Sequence, residues 1–389
     1  MAHPPPPYPP LVQQPARRRS WLVVLASLVL GLGAVAVAVL IVLFGGPEAA
    51  LVGFVLAAIP VPFLVAAYLW LDRYEPEPWR YLVSALGWGA VMATTLGVTF
   101  TAIGAQLSGT SGDVSGVLWA PVAEELAKGA FILLVVLLRR REVDGVLDGI
   151  VYTGMVGIGF AFTENILYYM ASYSGQAAQP GGLGAVTGLF VLRGVISPFA
   201  HPLFTSAVGI GIGMALQARS LRGRLLWPLA GYVVAVGMHA AWNGSALLGG
   251  GTAFLLTYVL GMVPALGLVL ALALWVRRRE GRVLTMALDD CARRGWLHPA
   301  EVPWIASLSH RGSARIYARR LRGPFGARAV KEYQQAVAEL GFLHDRVMRD
   351  RAPKDTAARQ ADILRRMALW RPHVVLPPPL PTPPLHLYR

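Results

Sequence analysis

Residues Val117–Arg141, VLWAPVAEELAKGAFILLVVLLRRR, decide how this chain is read. The stretch Val117–Leu138 is apolar at almost every position and closes on a run of arginines, the length and flank of a membrane-crossing helix. Three residues interrupt it: Glu124, Glu125 and Lys128. A charged side chain at the centre of a span costs about 2.5–3.5 kcal/mol on insertion scales, so each needs a partner or a task. Glu124 and Lys128 stand at i,i+4 and share a helix face, where they can pair. Glu124 and Glu125 are about 100° apart around the helix, so one carboxylate can bind while the other takes a proton.

The rest of the chain agrees with a membrane reading. Of 389 residues, 55% are hydrophobic and only 14% charged, and the mean hydropathy is +0.52. A soluble chain of this length cannot hide so much apolar surface. Apolar stretches of span length run over Trp21–Phe44, Ala49–Leu71, Tyr81–Leu107, Val117–Leu138, Ile150–Tyr169, Leu189–Leu216, Leu225–Leu248 and Thr252–Val276. The fold class expected is therefore all-α, a polytopic membrane protein with about eight transmembrane helices and a small helical tail. Trp21–Phe44 is too long for a signal-peptide core and is read as a retained span.

The loops sort into two kinds that alternate along the chain. One kind holds the arginines, at Arg17–Arg19, Arg73 and Arg80, Arg139–Arg141, Arg219/Arg222/Arg224 and Arg277–Arg279. The other lacks lysine and arginine, at Gly45–Glu48, Ser108–Gly116, Ala171–Gly188 and Gly249–Gly251. The positive-inside rule then predicts a multi-pass protein of the cell membrane with both termini in the cytoplasm. Residues 1–20 read as a Pro-rich disordered terminus, 21–276 as the membrane domain, 277–371 as a basic cytoplasmic helical region and 372–389 as a Pro-rich tail. The tail from Arg277 carries 22 Lys/Arg against 10 Asp/Glu, nearly all of the net +14. Such charge beside a bilayer suits anionic headgroups; without a recognition motif, nucleic acid is not an expected partner. The single cysteine, Cys291, excludes a disulfide framework and any multi-cysteine metal site.

The other ionisable residues within spans are Glu164, His201 and His239, and Arg193 lies near a span end, from which it can reach the headgroups. Counting helical rise from the arginine-free side places Glu164 about 8 Å, Glu124 about 11 Å, His239 about 14 Å and His201 about 18 Å deep. Four helices thus bring their polar residues to one half of the membrane or its midplane. Two imidazoles and a carboxylate suit a catalytic zinc with one position left open, and a second carboxylate can serve as general base. Asn243 follows His239 at i+4, placed to orient a ligand or hold an oxyanion. Pro198 and Pro202 flank His201 and would loosen its helix where a substrate strand must enter. Lys128 is conspicuous because the only other lysines, Lys331 and Lys354, lie in the tail.

Bland readings compete with these. Taken singly, Asn165, Thr205 and Asn243 serve as glue between helices. Gly154, Gly157 and Gly159 lie inside a span and mark close helix packing, not phosphate binding. Asp72–Pro78, DRYEPEP, is as a bare string an acidic loop stiffened by proline. No His-Glu pair opens a His-Glu-x-x-His zinc helix, no aspartate lies within a span, and no span carries a Gly-x-Ser-Gly element, which excludes three other protease chemistries.

Glu124-Glu125-Leu-Ala-Lys128, Phe160-Ala-Phe-Thr-Glu164-Asn165, the His201 span and His239-Ala-Ala-Trp-Asn243 resemble, in order, the motifs of the PrsW family. These are intramembrane metalloproteases related to the CAAX prenyl-protease superfamily. The resemblance covers roughly residues 50–276, and Asp72–Pro78 is similar to a segment that precedes the motifs. Glu164, where CAAX-type relatives place a histidine, points to the PrsW branch. By this resemblance Glu124, Glu125 and His201 would be essential, with Glu164, His239 and Asn243 completing the site. The family's founding member is similar in topology and cleaves a membrane-bound anti-sigma factor on its outer side; the basic tail lies outside the motifs.

The expectation is thus an endopeptidase hydrolysing a single-span membrane substrate near the outer leaflet. Glu164, His201, His239 and Glu124 would hold Zn²⁺. A glutamate, with Glu125 favoured over Glu124, would deprotonate water, and Lys128 or Asn243 would stabilise the tetrahedral intermediate. A metal-free variant with glutamate-activated water stays open. The rivals are a proton- or ion-coupled transporter, whose relay should extend through both leaflets, and a non-catalytic scaffold.

Overall fold

The computed structural model describes residues 31–378, apart from 36, 40, 42–45, 111, 140–141, 176–180, 248 and 350–354. Among the described residues every regular element is helical. Six helices of the described residues are long and apolar enough to cross a membrane: α1 Pro47–Leu71, α2 Trp79–Ser108, then, after α3, α4 Val146–Tyr173, α5 Leu183–Gln217, α6 Leu221–Leu247 and α7 Gly250–Arg293. The chain is a polytopic membrane protein. Helix α3, Gly112–Arg139, is 28 residues long and differs from the six in carrying Glu124, Glu125 and Lys128 together. The expected span Trp21–Phe44 lies mostly outside the described residues. The helices run past the sequence-based ends, most of all α7, because apolar scanning stops at Val276 whereas helical propensity does not.

Two compact units emerge, one running up to Asp72 and over Pro76–Val276, the other comprising Arg73–Glu75 and the chain from Arg277. In the first, α4 is the central helix: 89% of its membrane-length window is buried, against 39% or less in the other five. Glycine makes this possible. A Cβ at Gly159 would stand 1.9 Å from the Leu86 carbonyl oxygen, and one at Gly157 would stand 2.7 Å from the Pro202 backbone. Backbones approach at these points because nothing projects between them, which is how membrane helices gain packing without a hydrophobic drive.

Three short π-helical segments, Trp88–Ala93 in α2, Val191–Ile196 in α5 and Thr257–Met262 in α7, interrupt the α-helical spans. Their displaced carbonyls still need donors in a membrane. Thr163 on α4 donates to Ala90 O (2.7 Å), Ser197 to Leu192 O (2.8 Å) and Tyr258 to Ile196 O (2.9 Å). After its π segment α5 breaks at Ser197–Phe199 and resumes at Ala200, which sets His201 in a fresh first turn. The loop after α1 is stiffened as well: Asp72 accepts from Glu77 N (2.7 Å), and Glu77 accepts from the Tyr152 hydroxyl (2.5 Å).

The second unit packs the end of α7 with α8 Val302–Ala306, α9 Leu308–Met348 and α10 Thr356–Trp370. The apolar spacing of Val330–Met348 buries Val330, Tyr333, Val337, Leu340 and Leu343. Cys291 lies in the same core, fully buried. Helix α9 is kinked where Gly323 adopts φ 64°, just before Pro324.

Candidate active site

Each ionisable residue of the membrane unit singled out from sequence meets another. Helix α3 supplies Glu124, Glu125 and Lys128; α4 supplies Glu164; α5 supplies His201; α6 supplies His239. Lys128 lies at the centre and is fully buried. Its ammonium donates to Glu125 (2.9 Å), to His201 Nδ1 (3.1 Å) and, more weakly, to Glu124 (3.4 Å). It also stands 3.7 Å above the Phe160 ring. The expected pairing with Glu124 exists, but the shorter bond goes to Glu125.

Glu125 is saturated. Oε1 takes Lys128 and His239 Nδ1 (3.0 Å), and Oε2 takes the Thr205 hydroxyl (2.9 Å). Holding His239 at Nδ1 leaves its Nε2 facing Glu124 at 3.8 Å. A carboxylate on one imidazole nitrogen is how a histidine is oriented to present the other. Phe204 stacks on the His239 ring at 4.9 Å and fixes its plane.

Glu164 approaches from the other side. Its Oε2 meets His201 Nε2 at 2.7 Å and forms a close ion pair with Arg193. Arg193 also donates to Asn165 (2.7 Å) and lies over the Tyr168 ring at 4.1 Å. Arg193 therefore belongs to the cluster, not to the headgroups. The sequence held a signal for this: Arg193 lies in the half of α5 nearer a loop that has neither lysine nor arginine, so it needed an internal partner. Thr205, read singly as helix glue, is the second residue drawn in. Asn243 stays apart, its amide donating to Gly116 O on α3 (2.9 Å).

Counting permanent charges, three carboxylates face Lys128 and Arg193, leaving one negative charge to be balanced by a proton or a cation. Donor atoms of Glu124, His201 and His239 all lie within 4.8 Å of one another. Two nitrogens and a carboxylate oxygen, in a cluster one positive charge short, suit a divalent metal, for which His201 would exchange its bond to Glu164 or to Lys128, since both its ring nitrogens are engaged here. Glu164 is outside that group of three; its Oε2 is engaged by Arg193 and His201. Exposure is graded across the cluster: the side chains of Glu125 and Lys128 are sealed, whereas Glu124, Glu164 and Arg193 are 12%, 17% and 18% exposed.

A helical membrane bundle that buries a carboxylate–imidazole cluster of metal-binding type on four helices has the make-up of an intramembrane metalloprotease. The sequence profile of the PrsW family, described as PrsW family intramembrane metalloprotease, matches residues 77–272, which enclose every cluster residue. The chain belongs to that family and is a peptidase, so the transporter and scaffold alternatives fall away. Proteins named Protease PrsW are similar to it. That of Geobacillus kaustophilus is 27% identical over 178 residues, covering 46% of this chain and 72% of its own length. Those of Oceanobacillus iheyensis and Clostridioides difficile are 26% and 29% identical, over 41% and 40% of this chain and 67% and 63% of their own. No solved structure gives a significant match.

Proposed function

We propose that the chain cleaves a peptide bond of a single-span membrane protein close to the outer leaflet, with Zn²⁺ held by Glu124, His201 and His239. The observation that carries this is the convergence of those three donors within 4.8 Å. When bound, such an ion supplies Lewis acidity, lowering the pKa of a water molecule and polarising the scissile carbonyl. The same reading takes both termini as cytoplasmic and, counting α3 and Trp21–Phe44, eight spans. An anti-sigma factor is the kind of substrate that the family resemblance suggests.

The roles of individual residues differ from those expected by spacing alone. Glu125 has both oxygens occupied and no exposure, so it positions Lys128, Thr205 and His239 and is not the proton acceptor. Glu164 keeps Oε1 without a partner among the described residues and reaches the exposed edge. It accepts the water proton and returns it to the amine leaving group, so one peptide bond and one water become a carboxylate and an ammonium. Lys128 is sealed and Asn243 is committed to Gly116, so neither meets the developing oxyanion. Arg193 is the exposed donor beside Glu164, and its Nη1 has no partner among the described residues; it takes that task.

The test is metal analysis of the purified chain together with cleavage of candidate single-span substrates. His201→Ala and His239→Ala should lose both metal and cleavage. Cleavage without stoichiometric metal would overturn the zinc reading in favour of glutamate-activated water, and full activity in both histidine variants would overturn the site.

A further inference from the structure

In the second unit a cleft of about 670 Å³ opens between the end of α7 and the segment Pro299–His310, with Tyr74 on its wall. Arg278 and Arg282 line it one helical turn apart, on one face of α7, and His310 lines the opposite wall. Neither arginine has an ion-pair partner among the described residues. The acid in the lining, Asp289, stands two turns beyond Arg282, about 10 Å along the helix.

Next to His310, Arg311 is 3% exposed and has no carboxylate partner among the described residues. Its Nε donates to Ile305 O at 2.5 Å, and its Nη1 stands 3.5 Å from Tyr74 O. Its Nη2 is sealed from solvent with no partner among the described residues. Burial, then repulsion from Arg315 and Arg73, pushes this guanidinium down to about 10. Arg73, Arg311 and Arg315 repel one another, and Arg311 lies over the ring of Tyr74, which lines the cleft together with Arg278 and Arg282; none of the five arginines is ion-paired among the described residues. Of these only Arg311 is buried, where an uncompensated charge is costly; Arg278 and Arg282 are exposed and offer an anion two solvent-facing guanidinium groups one helical turn apart.

We propose that this cleft binds a phosphate-bearing anion, gripped by Arg278 and Arg282, whose forks match phosphate oxygens. Two sources share that chemistry. The headgroup of an anionic phospholipid is within reach because Arg278 and Arg282 follow the apolar stretch ending at Val276 by only two and six residues. A soluble phosphate compound is the other. The site is independent of proteolysis.

Full-length protein in a phosphate-free maltoside detergent, titrated calorimetrically with inorganic phosphate and with a water-soluble short-chain phosphatidylglycerol, tests this. Saturable binding, weakened roughly thirtyfold in Arg278→Ala/Arg282→Ala, is expected. Stronger binding of the phosphatidylglycerol assigns the site to lipid; equal or stronger binding of inorganic phosphate assigns it to a soluble anion. Arg319→Ala/Arg320→Ala removes the same charge from exposed positions outside the cleft and should leave binding within about twofold. Absence of saturable binding to either probe overturns the proposal, as does an equal loss in the two double variants.

Discussion

The ammonium of Lys128 stands 3.1 Å from His201 Nδ1, a contact that joins α3 to α5 through the middle of the cluster. The same ammonium faces both glutamates of α3, so it compensates buried charge and fixes an imidazole at once. Lys128→Met would leave Glu125 without its cation and raise the excess of negative charge. Breaking a buried pair on one side costs about 3–5 kcal/mol, and both the melting temperature in detergent and the cleavage rate should fall clearly. Unchanged melting and turnover would show that Lys128 is not needed to compensate the cluster.

Glu125→Gln and Glu164→Gln should separate two kinds of loss. A glutamine at 125 can still accept from His239 Nδ1, so metal affinity and activity should drop by about 10–100-fold, the usual effect of a group behind a ligand. A glutamine at 164 cannot take a proton, so cleavage should fall by about 10²–10⁴-fold while bound metal stays stoichiometric. Metal titration and single-turnover cleavage read the two effects separately. The opposite pattern, with Glu125→Gln inactive but metal-loaded, would restore Glu125 as the base.

Arg193→Met should lower the chemical step by about 10²–10³-fold if the guanidinium meets the oxyanion. Arg193→Lys keeps the charge but loses the fork that spans Glu164 and Asn165, and it should recover only part of the rate. Metal content should be unchanged in both. Wild-type turnover in Arg193→Met would return this residue to an anchoring role.

Cys291 is sealed in a core, so it cannot report topology by labelling, whichever side it occupies. That makes the wild-type chain a clean background. Ser108→Cys and Ser174→Cys should react with an impermeant maleimide on intact cells, and Ser220→Cys only after permeabilisation. The reverse pattern would invert the proposed orientation and move the site to the inner half.

How much was legible follows from physical cost. Charges inside a span are so unfavourable that Glu124, Glu125, Lys128, Glu164, His201 and His239 stood out, and helical rise alone matched their depths. Gly157 and Gly159 announced close packing because nothing else explains glycine there. The partners were harder. Whether Asn243 turns to His239 or to Gly116 depends on helix rotation, which a residue count cannot supply. Arg193 sits on a π-helical segment followed by the break at Ser197–Phe199, so a regular 100° step loses phase before His201. The saturation of Glu125 needs side chains from α5 and α6 as well as its own helix, and no single span contains that information.

The grading of exposure across the cluster has a consequence for what can be cut. Only the rims of Glu124, Glu164 and Arg193 meet the outside, and α4 is pinned to its neighbours where Gly157 and Gly159 leave no room to spread. On the proposed reading the scissile carbonyl has to reach that rim, and in an intact helix every carbonyl is held in the helix's own hydrogen bonds. The protein to be cut must therefore arrive as a single unwound thread. Unwinding in hydrocarbon strands backbone groups at several kcal/mol each, least where the thread lies near the surface or already contains glycine or proline. Selectivity on this account is mechanical: the enzyme reads how readily a passing helix frays, before it reads any side chain.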